Sequence, residues 1–293
     1  MEKTITAEVA KYGILGGEKL YQSRARLTLP YLVRQAKAGQ TIYYSDLAKE
    51  LHIPNPRNLN YILGAIGNAL IELGKSSGKD NIPPIQCIVI NKSNELPGEG
   101  VGWFITDLKD FSKLSKSQQR KLVDIELSKI YIYKDWDWVL MQLGLKPIQI
   151  DLDEELEMAK MVRGGGESES HRRFKEFVSL NPSVLGLKHT LKNGEMEKPL
   201  ASGDTLDILF TDKNIKIGIE VKSEISGSDD ILRGIFQCIK YKSVMEAEQI
   251  VNNELPNSQI ILALQGKLPE GLMPIKNMLG VEVIDGIKIT EGF

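Results

Sequence analysis

Cysteine is nearly absent from this sequence, and so are long apolar runs. Its only two cysteines, Cys87 and Cys238, are too few and too far apart for a disulfide framework, and they would need histidine help to form a zinc site. No apolar stretch approaches the roughly 18 residues that a membrane helix needs. The first residues lack a basic segment followed by an apolar run, so we expect no secretory signal. These absences predict a cytoplasmic protein with reduced thiols and no membrane partner.

The composition is that of an ordinary globular protein, which excludes disorder and fibrous repeats. Apolar residues make up 42% of the 293 positions and charged residues 26%, and the length suggests two domains. The net charge of −2 is unevenly distributed, because residues 1–150 carry 20 Lys/Arg against 15 Asp/Glu and residues 151–293 carry 17 against 24. A nucleic-acid-binding domain beside a cation-binding domain has such a distribution. Chance also produces it, so charge alone decides nothing.

A domain boundary is predicted between residues 147 and 166. Pro147 ends the preceding helix, residues 151–162 have the pattern of an acidic, exposed helix, and three consecutive glycines follow at 164–166. We therefore divide the chain into a first domain (1–146), a linker (147–166) and a second domain (167–293).

The first domain has the order of elements found in a winged helix, which is an α+β fold. Periodicity predicts three helices and then a β-hairpin with the strands Ile85–Ile90 and Trp103–Ile105. The three helices are predicted over 24–38, 46–51 and 58–73. Two further helices are predicted over 115–130 and 136–145.

Three segments of this domain resemble the DNA-binding domain of alkylguanine-DNA alkyltransferases. They are Ile42-Tyr-Tyr-Ser-Asp-Leu-Ala48, Ala65-Ile-Gly-Asn-Ala-Leu70 and Ile82-Pro-Pro-Ile-Gln-Cys-Ile-Val89, in the order in which that family places a tyrosine, a recognition helix and an active-site segment. Ile85 stands at the position of the family's reactive cysteine and Gln86 at that of its histidine. Gly64 replaces its arginine. Alkyl transfer is therefore not expected.

The resemblance implies a helix that docks on DNA. The residues that it offers for contacts with phosphates or base edges are Tyr44, Arg57, Asn58, Asn60 and Asn68. The competing interpretation is that the tyrosine and the asparagines only cap and solvate the helices. Cys87 lies two positions beyond the reactive site of the family, and we interpret it as a core residue.

The second domain contains two carboxylates inside apolar strands. Asp207 lies in the predicted strand Leu206–Phe210 and Glu220 in the following predicted strand, Ile215–Lys222. The turn between the two strands predicts a β-hairpin that brings the two carboxylates together. Carboxylates in apolar surroundings are costly unless a partner compensates them. Mg²⁺ held by Asp207, Glu220 and the Val221 carbonyl is such a partner. Lys222 would point at the metal-bound water, which it would orient or deprotonate, and at the scissile phosphate, whose charge it would offset. A Glu-x-Lys pattern alone is equally typical of a solvated strand face.

Predicted helices flank this hairpin on both sides in the sequence. The preceding helix directs Glu167 and His171 inward at its amino-terminal end. The following helix has Gln237 and Tyr241 four positions apart and therefore on one face, with Arg233 placed to meet phosphates. The two helices are predicted over 167–180 and 229–247.

This order of helix, strand with Asp, strand with Glu-x-Lys and helix with Gln-x-x-x-Tyr resembles the PD-(D/E)xK nuclease superfamily and its RecB-like branch. The resemblance implies a restriction-endonuclease-like α/β core, in which helices flank a mixed central sheet. It also implies Mg²⁺ as the cofactor, with Mn²⁺ able to substitute, double-stranded DNA as the partner, and a homodimer. The site residues that it implies are the metal ligands Asp207 and Glu220, the catalytic Lys222, the acidic Glu167, and the helix pair Gln237 and Tyr241.

Three functions follow from these patterns. The leading hypothesis is a magnesium-dependent DNA endonuclease whose winged helix docks on DNA or inspects it for modified bases, in restriction or phage defence. The second is a catalytically silent DNA-binding protein of the same fold, which the intact Asp207, Glu220 and Lys222 disfavour. The third is a sensor of alkylated bases coupled to a nuclease, because Ile85 permits sensing and forbids repair.

Overall fold

Two units make up the chain, Met1–Ile150 and Asp151–Phe293. The computed structural model describes residues 15–79, 81–105, 111–161, 168–188, 191–213 and 215–290. These described residues form ten α-helices and two β-sheets, which makes the protein a mixed α/β structure. None of the ten helices is both long enough and apolar enough to cross a membrane.

The first unit is mainly helical. Its elements are α1 (Leu20–Lys37), β1 (Ile42–Tyr43), α2 (Tyr44–Glu50), α3 (Leu59–Ser77), β2 (Val89–Ile90), α4 (Gly102–Ile105), α5 (Lys116–Ile132) and α6 (Trp136–Gln142). Helices α1 and α3 pack together because each has an apolar stripe at helical spacing, with Leu29 and Leu32 on α1 and Ile62 and Ile66 on α3. The helices predicted in this unit are confirmed, with ends that differ by a few residues.

The predicted β-hairpin of this unit is wrong. Ile85–Ile88 forms a 3-10 turn, so only Val89 and Ile90 of the predicted strand are extended, and they pair in parallel with β1. The predicted return strand is helix α4 instead. The chain after β2 forms a tight loop, in which the Asn91 N–H donates to the Leu96 carbonyl at 2.9 Å. The three predicted helices are therefore formed, whereas the hairpin is not formed at the predicted positions.

The second unit is built on a mixed five-stranded sheet with the order β3-β4-β5-β6-β7. Strands β3, β4 and β5 are antiparallel neighbours, which confirms the predicted hairpin, and β5, β6 and β7 are parallel. A helix connects the parallel pair β5 and β6, as such a crossover requires. The elements are α7 (Leu152–Met161), α8 (Glu169–Leu180), β3 (Glu195–Pro199), β4 (Thr205–Asp212), β5 (Ile215–Lys222), α9 (Ser228–Val251), β6 (Ser258–Leu264), α10 (Met273–Met278) and β7 (Glu282–Ile284).

Helices α8 and α9 both pack against β5. Phe174 and Phe177 of α8 share a buried cluster with Ile219 and Val221 of β5. Helix α9 packs against β5 and β6 and also contacts α7. Because side chains alternate along a strand, the residues of β5 between those in the α8 cluster are directed away from it. Strand β3, which was not predicted, forms one edge of the sheet and is largely exposed.

Candidate active site

The end of β5 carries the candidate catalytic residues of the second unit. Asp207 lies just outside the segment in which β4 pairs with β5. Its Oδ2 accepts a hydrogen bond from the Val221 backbone N–H at 2.9 Å. Glu220 and Lys222 alternate with Val221 along the strand and therefore lie on its opposite face. On that face, a Cβ at Gly234 of α9 would lie 2.9 Å from Cε of Lys222, so α9 covers the lysine closely. The predicted residues of the two strands thus meet at one place.

Lys222 is buried and contacts three polar groups. Its Nζ lies 3.1 Å from Oε1 of Glu220 and 3.2 Å from Oδ1 of Asp230, and it donates to Oε1 of Gln237 at 3.4 Å. Burial lowers the pKa of Lys222, but the two carboxylates outweigh burial, and the net result is a raised pKa. The side chain is therefore a fixed ammonium group at neutral pH.

Gln237 and Tyr241 extend this network along α9. Nε2 of Gln237 donates to Oη of Tyr241 at 3.0 Å, so a chain of polar contacts runs from Lys222 through Gln237 to the phenol. Burial, together with the nearby Glu220 carboxylate, raises the pKa of Tyr241 to about 12. The phenol therefore stays neutral and keeps the amide of Gln237 oriented toward the lysine.

Glu220 is an acid in unfavourable surroundings. Only 4% of the residue is exposed, and burial together with the Asp207 carboxylate raises its pKa to about 8, although Lys222 acts in the opposite direction. Lys222 is shared with Asp230, and its positive charge therefore does not offset the combined effect of burial and the Asp207 carboxylate on Glu220.

The donor set fits a divalent cation. The Asp207 carboxylate raises the pKa of Glu220, and a bound cation would offset this effect. Mg²⁺ is commonly held by one or two carboxylates, with waters and phosphate oxygens completing its shell. Across the described residues no group of three or more His, Cys, Asp or Glu side chains is suited to a metal, so the donors here are two carboxylates and the predicted Val221 carbonyl. Glu167, the remaining predicted acid, lies outside the described residues.

The amino-terminal end of α8 lies beside Asp207. Ser168 caps the helix, and its hydroxyl accepts from the His171 backbone N–H at 3.1 Å. Nε2 of His171 lies 3.7 Å from Oδ1 of Asp207. Glu169 points outward, where it pairs with Arg172 at 2.7 Å. The predicted inward direction of His171 is confirmed.

Asp230 belongs to the site although no sequence pattern indicates it. It lies in the first turn of α9, where acidic residues are ordinary, and its neighbour Asp229 is exposed. Burial opposes the ionisation of Asp230, but Lys222 and a hydrogen bond from Ser226 outweigh burial and lower its pKa. Arg233, the predicted phosphate contact one turn later on α9, is half-buried and contributes to the same lowering.

A further carboxylate near the strand, Asp204, is engaged elsewhere. It pairs with Lys240 of α9 at 2.7 Å and accepts from Ser202 at 2.6 Å, and both contacts lower its pKa. These contacts make Asp204 part of a surface ion pair.

The DNA-contact candidates of the first unit fall into two groups. Arg57, Asn58, Asn60 and Asn68 are exposed on α3 and on the turn before it. Asn58 is the N-cap residue of α3, yet its side chain makes no capping hydrogen bond. Tyr44, by contrast, is half-buried. These four exposed side chains have the accessibility that nucleic-acid contacts require.

Neither cysteine has the surroundings of a nucleophile. Cys87 and Cys238 are both buried free thiols, and burial raises the pKa of each. Nucleophilic cysteines need the opposite shift. The interpretation of Cys87 as a core residue is confirmed.

Comparison with known proteins found no relative: no protein-family model, no curated protein and no solved structure matches this chain.

Proposed function

We propose that this protein is a magnesium-dependent endonuclease that hydrolyses phosphodiester bonds in DNA. The observation that supports it best is the buried Lys222 ammonium beside Glu220 on the same strand, with the Asp207 carboxylate on the neighbouring strand. Phosphodiester hydrolysis needs a cation-binding pair of carboxylates next to a fixed positive charge for the phosphate. The biological role we propose is restriction or phage defence.

Asp207, Glu220 and the Val221 carbonyl would hold the magnesium ion, which when bound supplies a polarised water and neutralises charge on the phosphate. Because the pKa of Glu220 is about 8, this carboxyl loses a proton when it becomes a ligand, and affinity for the ion rises with pH. Lys222 stays protonated, so it attracts a non-bridging phosphate oxygen and does not take the proton from water. Gln237 orients the ammonium group, and Tyr241 orients Gln237.

The first unit docks the enzyme on DNA in this proposal. Arg57 meets a phosphate, and the exposed amides of Asn58, Asn60 and Asn68 reach phosphates or base edges. Arg57→Ala should weaken DNA binding and reduce the slope of log affinity against log salt by about one, as loss of one phosphate contact does. Lys121→Ala, which removes an exposed cation from α5, is the matched control in a fluorescence-anisotropy titration. An unchanged salt slope for Arg57→Ala would move the docking surface elsewhere.

The experiment that tests the nuclease is cleavage of plasmid and of modified phage-type DNA with Mg²⁺, Mn²⁺ or EDTA. Wild type should cut with either metal and not with EDTA, and Lys222→Ala should lose cutting by at least about a hundredfold, the typical effect of removing one transition-state charge contact. Lys242→Ala, an exposed lysine on α9, should cut like wild type.

Other results of the cleavage experiment would favour a different function or a different active site. DNA binding without cleavage of any substrate would favour the catalytically silent binding protein. Cutting that survives in Lys222→Ala would place the active site elsewhere in the chain. Because double-strand cutters of this fold often pair two active sites, the proposal includes a homodimer, which sedimentation of the DNA complex would reveal.

A further inference from the structure

One stripe of helix α9 covers Lys222. Asp230, Gly234 and Gln237 are spaced by four and three positions, so they lie on one face of the helix. Oδ1 of Asp230 lies 3.2 Å from Nζ of the lysine, Oε1 of Gln237 lies 3.4 Å from it, and a Cβ at Gly234 would lie 2.9 Å from its Cε. The glycine makes room for the lysine and the glutamine orients it, whereas the charge of Asp230 has no role in the function proposed above.

Asp230 is held in place by contacts of its own. Residues 223–227 alone connect β5 to α9, and this short connection keeps the first turn of the helix close to the end of the strand. The Ser226 side chain forms a hydrogen bond with Asp230, and the Ser226 backbone N–H donates to the Ser223 carbonyl at 3.1 Å. The position of the Asp230 carboxylate is therefore fixed by the connection as well as by the lysine.

Lys222 contacts two carboxylates in the described part of the chain, and the two differ in what else they can bind. Glu220, at 3.1 Å from the ammonium nitrogen, is one of the two carboxylates that fit the divalent cation. Asp230 does not join Asp207 and Glu220 at one ion, because no group of three such side chains among the described residues is suited to a metal. The side chain of Asp230 is also 33% exposed, against 5% for Glu220, so its charge costs less desolvation.

The buried lysine needs a carboxylate partner whether or not a cation is present. Only 8% of its side chain is exposed, and a buried charge that loses its partner is strongly destabilising. A cation at Glu220 would offset the negative charge that faces Lys222 and would also repel the ammonium group. If Glu220 were its only partner, cation binding would leave the lysine uncompensated. A second carboxylate that does not bind the cation removes this conflict.

We propose that Asp230 is a positioning residue, which retains Lys222 beside the metal site and so allows Glu220 to bind the cation. In the metal-free protein the ammonium group is shared between the two carboxylates. With a cation bound, Asp230 keeps the ammonium group in place for the phosphate. The inference rests on the proposed function, which supplies the phosphate, but the effect of Asp230 on cation binding is measurable without DNA.

Titration of the full chain with Mg²⁺ at pH 7.5, followed by hydrogen exchange of β5 peptides, tests the effect on cation binding. Asp230→Asn keeps the size of the side chain and removes its charge. The variant should need at least about tenfold more Mg²⁺ for half-maximal protection, because Lys222 then keeps Glu220 as its partner and a hydrogen bond to a charged group has about this effect. Asp229→Asn removes an exposed charge from the same helical turn and should bind Mg²⁺ like wild type.

A second background separates positioning from a merely structural role. In Lys222→Met there is no ammonium group to retain, so adding Asp230→Asn should change the Mg²⁺ requirement by less than about twofold. A direct effect of the Asp230 charge on the cation, or a loosened α9, would act equally in both backgrounds. The inference is wrong if the loss is equal in both backgrounds, if neither background shows a loss, or if Mg²⁺ does not protect the wild type.

Cleavage kinetics test the part of the inference that concerns the phosphate. At saturating Mg²⁺, Asp230→Asn should lower kcat at least about tenfold without raising KM for DNA, because Asp230 contacts the lysine and not the substrate. An unchanged kcat in a wild type that cuts DNA would refute this part. If the wild type cuts no DNA while the Mg²⁺ titrations give the expected result, the proposed nuclease is wrong and the role of Asp230 in cation binding is supported.

Discussion

Replacing Glu220 with glutamine should make the stability of the second unit less dependent on pH, so that the variant gains stability relative to wild type as the pH rises from 5 to 8. In the folded unit, Glu220 keeps its proton up to a pKa of about 8, whereas an unfolded glutamate releases it near 4.5. Between these values the folded state binds one more proton than the unfolded state. The stability that comes from Glu220 is therefore complete below pH 4.5 and lost as the pH rises through 8. Glutamine has no proton to lose, so the variant does not share this loss.

The size of the effect follows from the same linkage. The free energy of unfolding of the second unit should fall by about 1.4 kcal/mol per pH unit over this interval because of Glu220 alone. Between pH 5 and pH 7.5 the accumulated loss is about 3 kcal/mol, a large fraction of the stability of an ordinary domain. The variant also loses the contact between Glu220 and Lys222. This loss changes the difference in free energy of unfolding between variant and wild type by the same amount at every pH, so the slope of that difference against pH is unchanged.

The assay has to report on the second unit specifically. The three tryptophans, Trp103, Trp136 and Trp138, all lie in residues 1–150, so fluorescence follows the first unit. Hydrogen exchange of peptides from β5 and β6, in EDTA and corrected for intrinsic rates, measures opening of the second unit. Glu176→Gln, which removes an exposed carboxylate from α8, is the matched control and should run parallel to wild type. If Glu220→Gln also runs parallel to wild type from pH 5.5 to 8.5, Glu220 does not carry the proton assigned to it.

Three other predictions concern packing, metal and the first unit. Gly234→Ala should destabilise the second unit by about 1–3 kcal/mol in hydrogen exchange, because the new methyl group would overpack against Lys222, whereas exposed Gly266→Ala should have little effect. At pH 7.5, 10 mM Mg²⁺ should stabilise the wild-type unit by about 1.4 kcal/mol if its Kd is near 1 mM, and Asp207→Asn should abolish the gain; an equal gain in both would exclude this site. Glu50→Gln leaves its buried arginine partner on α1 without a counter-charge and should cost about 3–5 kcal/mol in urea unfolding followed by tryptophan fluorescence.

Helices with an apolar stripe and strands with a period of two between turn residues could be predicted closely, whereas segments without either pattern could not. The bounds of β5 agree with the prediction because its apolar alternation ends at a turn on one side and at Lys222 on the other. Strand β3 could not be predicted, because its sequence, Glu-Met-Glu-Lys-Pro, contains no apolar alternation. Pairing with β4 holds this strand at an exposed edge of the sheet. Ile85–Ile88 is buried and β-prone, but burial alone does not distinguish a strand from a 3-10 turn.

Some residues of the candidate site could be predicted from the sequence, and others could not. Asp207, Glu220 and Lys222 could be identified because a hairpin relates them through local periodicity. Asp230 could not, because its contact with Lys222 depends on where the first turn of α9 packs against β5. In the sequence, Asp229 and Asp230 are equivalent. Tertiary packing determines which polar group contacts a buried lysine, and the periodicity of a single helix or strand does not predict that contact.

The character of β3 also limits how two copies of this protein could associate. Glu197 has a φ of +56°, in the left-handed region that strands rarely contain, and Pro199 has no N–H to donate. Charged side chains occupy most of the remaining positions. A second strand therefore finds few usable backbone partners along this side of the sheet, which protects an exposed edge from aggregation. If the active enzyme is a homodimer, we expect that β3 does not pair with its counterpart in the other subunit.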